Sequence, residues 1–148
     1  SEADSSSEAD SSSDEADELT DEEILEQVQP YLENMVYQDP ALYPSMNDFL
    51  SANLGLTQEE AASAVLYMGA PNQNTGYFLM LTKAENADTN SILEKLNSTA
   101  EGQVHTAEMG YTQGYTGYEI IDKDTRIFLV MHPDADRFNE LVDLLENL

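Results

Sequence analysis

Tyr77-Phe78-Leu79-Met80-Leu81-Thr82 is apolar on both of its alternating faces. Tyr77, Leu79 and Leu81 fall on one side of an extended chain and Phe78 and Met80 on the other, because successive strand side chains point oppositely. A strand with no wet face belongs inside a sheet, so this stretch predicts a central strand. Upstream, residues 63–68 (SAVLYM) read as a second strand. The connection, Gly69-Ala70-Pro71-Asn72-Gln73-Asn74-Thr75-Gly76, is dense in turn formers and predicts an antiparallel hairpin.

Downstream, residues 87–109 predict a long helix with Ile92, Leu93, Leu96, Ala100, Val104 and Ala107 on its buried side. A second hairpin follows, with strands at 118–122 and 125–131 and a turn at Lys123-Asp124. Pro133 ends the last strand, and Asp134 or Asp136 is placed to cap a final helix. In that helix Phe138, Leu141, Val142, Leu145 and Leu148 recur at helical spacing.

Before the hairpins, Thr20-Asp21-Glu22-Glu23 matches a capping box, and Leu19 and Ile24 occupy the hydrophobic-staple positions. Ile24, Leu25, Val28, Leu32 and Met35 form one helical stripe, which Pro30 should kink or break near Gln29. Residues 45–54 predict a short helix closed by a left-handed Gly55. Thr57-Gln58-Glu59-Glu60 is a second capping-box match, opening about one turn. The expected fold class is α+β: an N-terminal helical segment, then β-β-α-β-β-α. These elements predict one four-stranded, mainly antiparallel sheet with helices packed on one face.

Residues 1–18, SEADSSSEADSSSDEADE, are an imperfect low-complexity repeat of serine and acid. They offer nothing to bury and repel one another, so they predict a disordered leader ahead of a single domain at 19–148. The 148-residue chain holds 30 acidic and 5 basic residues, a net charge of −25. The first cation is Lys83. Such a chain excludes nucleic acid as a partner, because phosphate binding draws on clustered Lys and Arg. It equally excludes a basic face for anionic lipid. The absence of cysteine removes disulfides, thiolate metal sites and cysteine nucleophiles. The chain begins with Ser1, so an upstream start is expected to have been removed.

The body resembles the domain of unknown function 4358 family, found in lipoproteins of Gram-positive anaerobes. The resemblance covers roughly residues 20–148. It rests on Leu54-Gly55-Leu56-Thr57-Gln58-Glu59-Glu60, which looks like the family's turn before the first strand, and on Ala64-Val65-Leu66-Tyr67-Met68, which resembles that strand. The long helix, the hairpin from Ile120 to Val130 and the Asp-led final helix follow in the family order. The chain departs from the pattern in the Gly/Tyr-rich stretch 111–118. The resemblance implies export, a lipid anchor on a cysteine upstream of this chain, and no assigned activity; the serine-rich leader would then be a spacer from the membrane. It supplies no catalytic residues.

The most distinctive local feature is Tyr111-Thr112-Gln113-Gly114-Tyr115-Thr116-Gly117-Tyr118. Tyr111, Tyr115 and Tyr118 offer ring faces for stacking and hydroxyls for hydrogen bonds, which makes them the candidate binding residues. The competing reading is a connecting loop whose rings cover the sheet. His132-Pro133-Asp134-Ala135-Asp136 alternates metal-ligand types, but the two aspartates also stand where helix caps belong. Asp122 and Asp124 flank a hairpin turn with no calcium-loop pattern around them. No serine lies in Gly-x-Ser-x-Gly, and neither His105 nor His132 has a partner in sequence. Asn97-Ser98-Thr99 is a glycosylation sequon in form only.

No catalytic residue, metal or cofactor is therefore assigned. The expected function is a non-enzymatic extracytoplasmic binding or accessory module, anchored at the cell surface and recognising an envelope protein, peptide or glycan. The alternatives are a cell-envelope hydrolase with an unrecognised site and a purely structural domain.

Overall fold

A computed structural model describes residues 19–33, 35–69, 76–106 and 117–148. The predicted leader, and Tyr111 and Tyr115, lie outside the described residues. Four α-helices are present among them: α1 (Asp21–Val28), α2 (Met46–Leu54), α3 (Thr89–Thr106) and α4 (Ala135–Glu146). Five strands, β1 (Met35–Gln38), β2 (Ala61–Gly69), β3 (Tyr77–Lys83), β4 (Glu119–Lys123) and β5 (Arg126–Met131), form one antiparallel sheet in the order β1-β2-β3-β5-β4.

The α+β class holds, and β3 is central as its two apolar faces require. Two features differ from the sequence expectation. The sheet has five strands rather than four, because the chain after Pro30 does not stay helical. α1 stops at Val28, a 3-10 turn carries Pro30 where no amide donor is needed, and Met35-Val36-Tyr37-Gln38 then pairs with β2. β-branched Val36 and aromatic Tyr37 suit that edge position.

The helices also cover both faces, not one. α2 and α3 pack on the face of Leu66, Leu79, Leu81, Ile127 and Leu129, whereas α1 and α4 pack on the face of Phe78, Met80, Ile121, Phe128 and Val130. The physical reason is the two-sided apolar character of β3 and β5: each would leave a row of large side chains in water if one face were bare. An aromatic row crosses the α1/α4 face through Tyr37, Tyr67, Phe78 and Phe128, with successive ring centroids 5.3, 6.5 and 6.2 Å apart.

Local chemistry sets the element ends. Thr20 and Glu23 exchange side-chain and backbone bonds of 3.1 and 2.9 Å, completing the capping box. Gly55 ends α2 at φ +70°, and the Leu56 amide reaches back to the Leu50 carbonyl at 3.3 Å. Asp134 caps α4 by accepting from the Asp136 and Arg137 amides. Thr57–Glu60 forms a hydrogen-bonded turn rather than a helix. Glu60 accepts from the Thr57 amide at 3.1 Å and from Ser91 and Lys95 of α3 at 3.1 and 2.8 Å. Burial acts to raise the Glu60 carboxyl, but the bonds from Lys95, Thr57 and Ser91 together hold it below its ordinary value.

The route β3-α3-β4 is a crossover between two parallel strands. It leaves β5 beside β3 and puts β4 at the sheet's edge, next to α3. This arrangement builds the candidate site.

Candidate functional site

A cleft of about 450 Å³ opens between α3 and β4, lined by Leu93, Asn97, Tyr118, Glu119, Ile120 and Asp122. The period-two rule places Tyr118, Ile120 and Asp122 on the α3 side of the sheet, while Ile121 packs into the opposite core. Helical spacing aligns Leu93 and Asn97 on one face of α3. The Tyr118 hydroxyl donates to Asn97 Oδ1 at 2.8 Å, and the Asn97 amide donates to the Leu93 carbonyl at 3.0 Å. That chain of bonds fixes both polar groups at the cleft wall.

Of the three tyrosines singled out by sequence, the structure thus places Tyr118 in a cleft. Leu93, Asn97, Glu119, Ile120 and Asp122 were not read as binding residues from the sequence, where Leu93 stood on the buried side of a helix, Asn97 in a sequon and Asp122 beside a turn. The alternation of Tyr118, Ile120 and Asp122 was visible, but only the sheet order shows that their strand is an edge.

Among the described residues the cleft carries the Asp122 carboxylate and no cation, while the Glu119 side chain leaves the other face of the same edge strand. All five basic side chains are engaged elsewhere. Lys83 donates to Thr89 Oγ1 (3.0 Å), Lys95 to Glu60 (2.8 Å), Lys123 to the Glu146 carbonyl (2.8 Å) and Arg126 to Asp21 (2.8 Å). Arg137 bonds the Pro30 carbonyl and lies over the Tyr31 ring, 4.9 Å from its centroid. The cleft is therefore suited to neutral or cationic groups and opposed to anions.

The histidine-and-aspartate motif is used structurally. His132 is buried, and its Nδ1 accepts the Asp134 amide at 3.0 Å. Burial, then the Arg137 charge, lower its pKa against the opposing pull of Asp134. With Nδ1 occupied by the Asp134 amide and the ring buried, His132 is held in a structural role. Asp134 is a helix cap, and Asp122 Oδ1 accepts the Asp124 amide in the β4–β5 turn, where Asp124 takes φ +71°. Among the described residues no group of three or more His, Asp or Glu side chains is arranged to hold a metal. His105 is exposed near the end of α3.

Two other features stand apart from the cleft. A recess of about 60 Å³ beside Leu19, Lys123, Arg126 and Leu148 is too small for more than a few waters. The Tyr77 hydroxyl is buried in the α2/α3-side core with no hydrogen-bond partner among the described residues, and burial drives its pKa far upward. No helix among the described residues is long and apolar enough to cross a membrane. No family model, curated protein or solved structure matches the chain.

Proposed function

We propose that this chain is a non-enzymatic, extracytoplasmic binding module of the cell envelope, and that the α3–β4 cleft is its binding site. The observation that carries the reading is the cleft itself: a mixed apolar and polar concavity with Tyr118 and Asn97 locked together at its wall. Membership of the domain of unknown function 4358 family belongs to the same proposal. It is supported by the order of hairpins and helices, and with it come export and an upstream lipid anchor.

The test is a titration of the isotope-labelled full chain with muropeptides, envelope glycans and peptides. Binding should move the amide signals of Leu93, Asn97, Tyr118 and Ile120, and Tyr118→Ala should abolish the response. Shifts confined to another surface would refute the site. Turnover of an added fragment would instead favour the envelope-hydrolase alternative. For the anchor, the encoding gene should specify a signal segment and a cysteine upstream of Ser1; a gene without them removes that part of the proposal.

A further inference from the structure

We propose that the occupant of the cleft is an extended basic peptide segment, which adds as a further strand to the edge of β4 that no other described strand pairs. The inference rests on the reading of the α3–β4 cleft as the binding site, and the ladder geometry takes it further. The Lys83 amide bonds the Thr125 carbonyl at 2.9 Å, and the neighbouring register pair is Thr82 with Arg126. Antiparallel ladders alternate, so Ile127, Leu129 and Met131 direct their backbone groups at β3, and Phe128 and Val130 direct theirs at β4. Their register partners, Ile121 and Glu119, answer toward β5. Ile120 and Asp122 are left with amide and carbonyl pointing away from the sheet.

These outward-turned residues are also the ones whose side chains line the cleft. An added strand would pair with the Ile120 and Asp122 backbone and send alternate side chains into the space beside α3. An apolar side chain there meets Leu93, Ile120 and the Tyr118 ring. A Lys or Arg meets Asp122, with Glu119 adding to the field. Every cation of the chain is already engaged, and the net charge is −25, so the surface has nothing to offer an acidic strand. A second copy of the same edge is disfavoured for that reason. The β1 edge also has outward-facing groups and an exposed Tyr37, but its residues line neither of the two recesses described above.

The probe is a blocked heptapeptide of alternating Val and Lys. The controls are the same peptide N-methylated at alternate positions, which cannot complete the ladder, and its Val/Glu counterpart. With the Val/Lys peptide, amide exchange at Ile120 and Asp122 should slow by about tenfold or more, while the controls leave it unchanged. Ile120→Pro removes a donor that the sheet does not use and should abolish binding. Asp122→Asn should weaken it several-fold and flatten its salt dependence. Should Ile120→Pro fail to fold, the N-methylated peptide carries the same test.

Equal binding of the N-methylated peptide, or protection at Tyr37 instead, would overturn the inference. A glycan or N-methylated peptide that shifts Leu93, Asn97 and Tyr118 without protecting Ile120 would sink the strand and leave the cleft standing as a site. Silence at the cleft with every peptide and glycan would sink both.

Discussion

Phe78→Ala separates a sheet covered on both faces from one covered on a single face. Phe78 has no exposed surface, lies on the α1/α4 side of β3, and its ring centroid is 6.2 Å from that of Phe128 and 6.5 Å from that of Tyr67. Removing roughly 150 Å² of buried ring at about 25 cal/mol per Å² costs about 4 kcal/mol. That agrees with the roughly 3–5 kcal/mol typical of Phe→Ala in packed cores. Leu79→Ala, on the α2/α3 side of the same strand, should cost about 2–5 kcal/mol. Urea unfolding with an m-value of about 2 kcal/mol/M would move the midpoint by roughly 2 M for the phenylalanine variant. The refuting result is asymmetry: a Phe78→Ala cost near 0.5 kcal/mol, as at a solvent-facing position, beside a full Leu79→Ala cost. Phe78→Leu provides a milder variant if the alanine form is too unstable to purify.

Four further outcomes are expected. Tyr77→Phe removes a hydroxyl that is buried with no partner among the described residues and should leave stability unchanged or raise it by about 1 kcal/mol in the same urea assay; a clear loss would mean that the hydroxyl is satisfied. Gly76→Ala should destabilise by about 2–3 kcal/mol, because Gly76 sits at φ +111° and an added Cβ would stand 2.9 Å from the Met131 carbonyl; a neutral effect would refute the close approach. The lowered His132 pKa means that the unfolded chain takes up its proton first as acid is added. Its contribution is thus present above about pH 6.5 and lost as pH falls through the folded value, and His132→Asn should flatten that part of the stability profile measured by thermal melting. Glu60→Ala should cost about 2 kcal/mol at neutral pH and progressively less as pH falls below the ordinary carboxylate range, since the depressed carboxyl contributes only while ionised; a pH-independent cost would contradict the Lys95 and Ser91 bonds.

Part of the site was legible in the chain and part was not. Tyr118 drew notice as an aromatic in a glycine-rich stretch, and the alternation of Ile120 and Asp122 could be read from the letters. Their partner Asn97 lies 21 residues away on α3, and no local pattern connects it to Tyr118. The His132 motif shows the reverse. Ligand-like residues in a row proved to be a cap and a buried acceptor, because a helix N-terminus consumes the same side chains that a metal would.

What the sequence determined by itself was local: periodicities, the Thr20 cap, an aspartate cap at Asp134 or Asp136, the positive-φ Gly55 and the two hairpins, all set by interactions within a few residues. The doubly apolar Phe78–Leu81 run even marked its strand as central. Only the tertiary structure decided that Met35–Gln38 joins the sheet, that helices cover both faces, and that β5 separates β3 from β4. Those outcomes depend on which distant surfaces meet. β5, apolar on both faces, is stabilised inside the sheet, and the more polar Glu119–Lys123 strand tolerates the edge, where it borders the cleft.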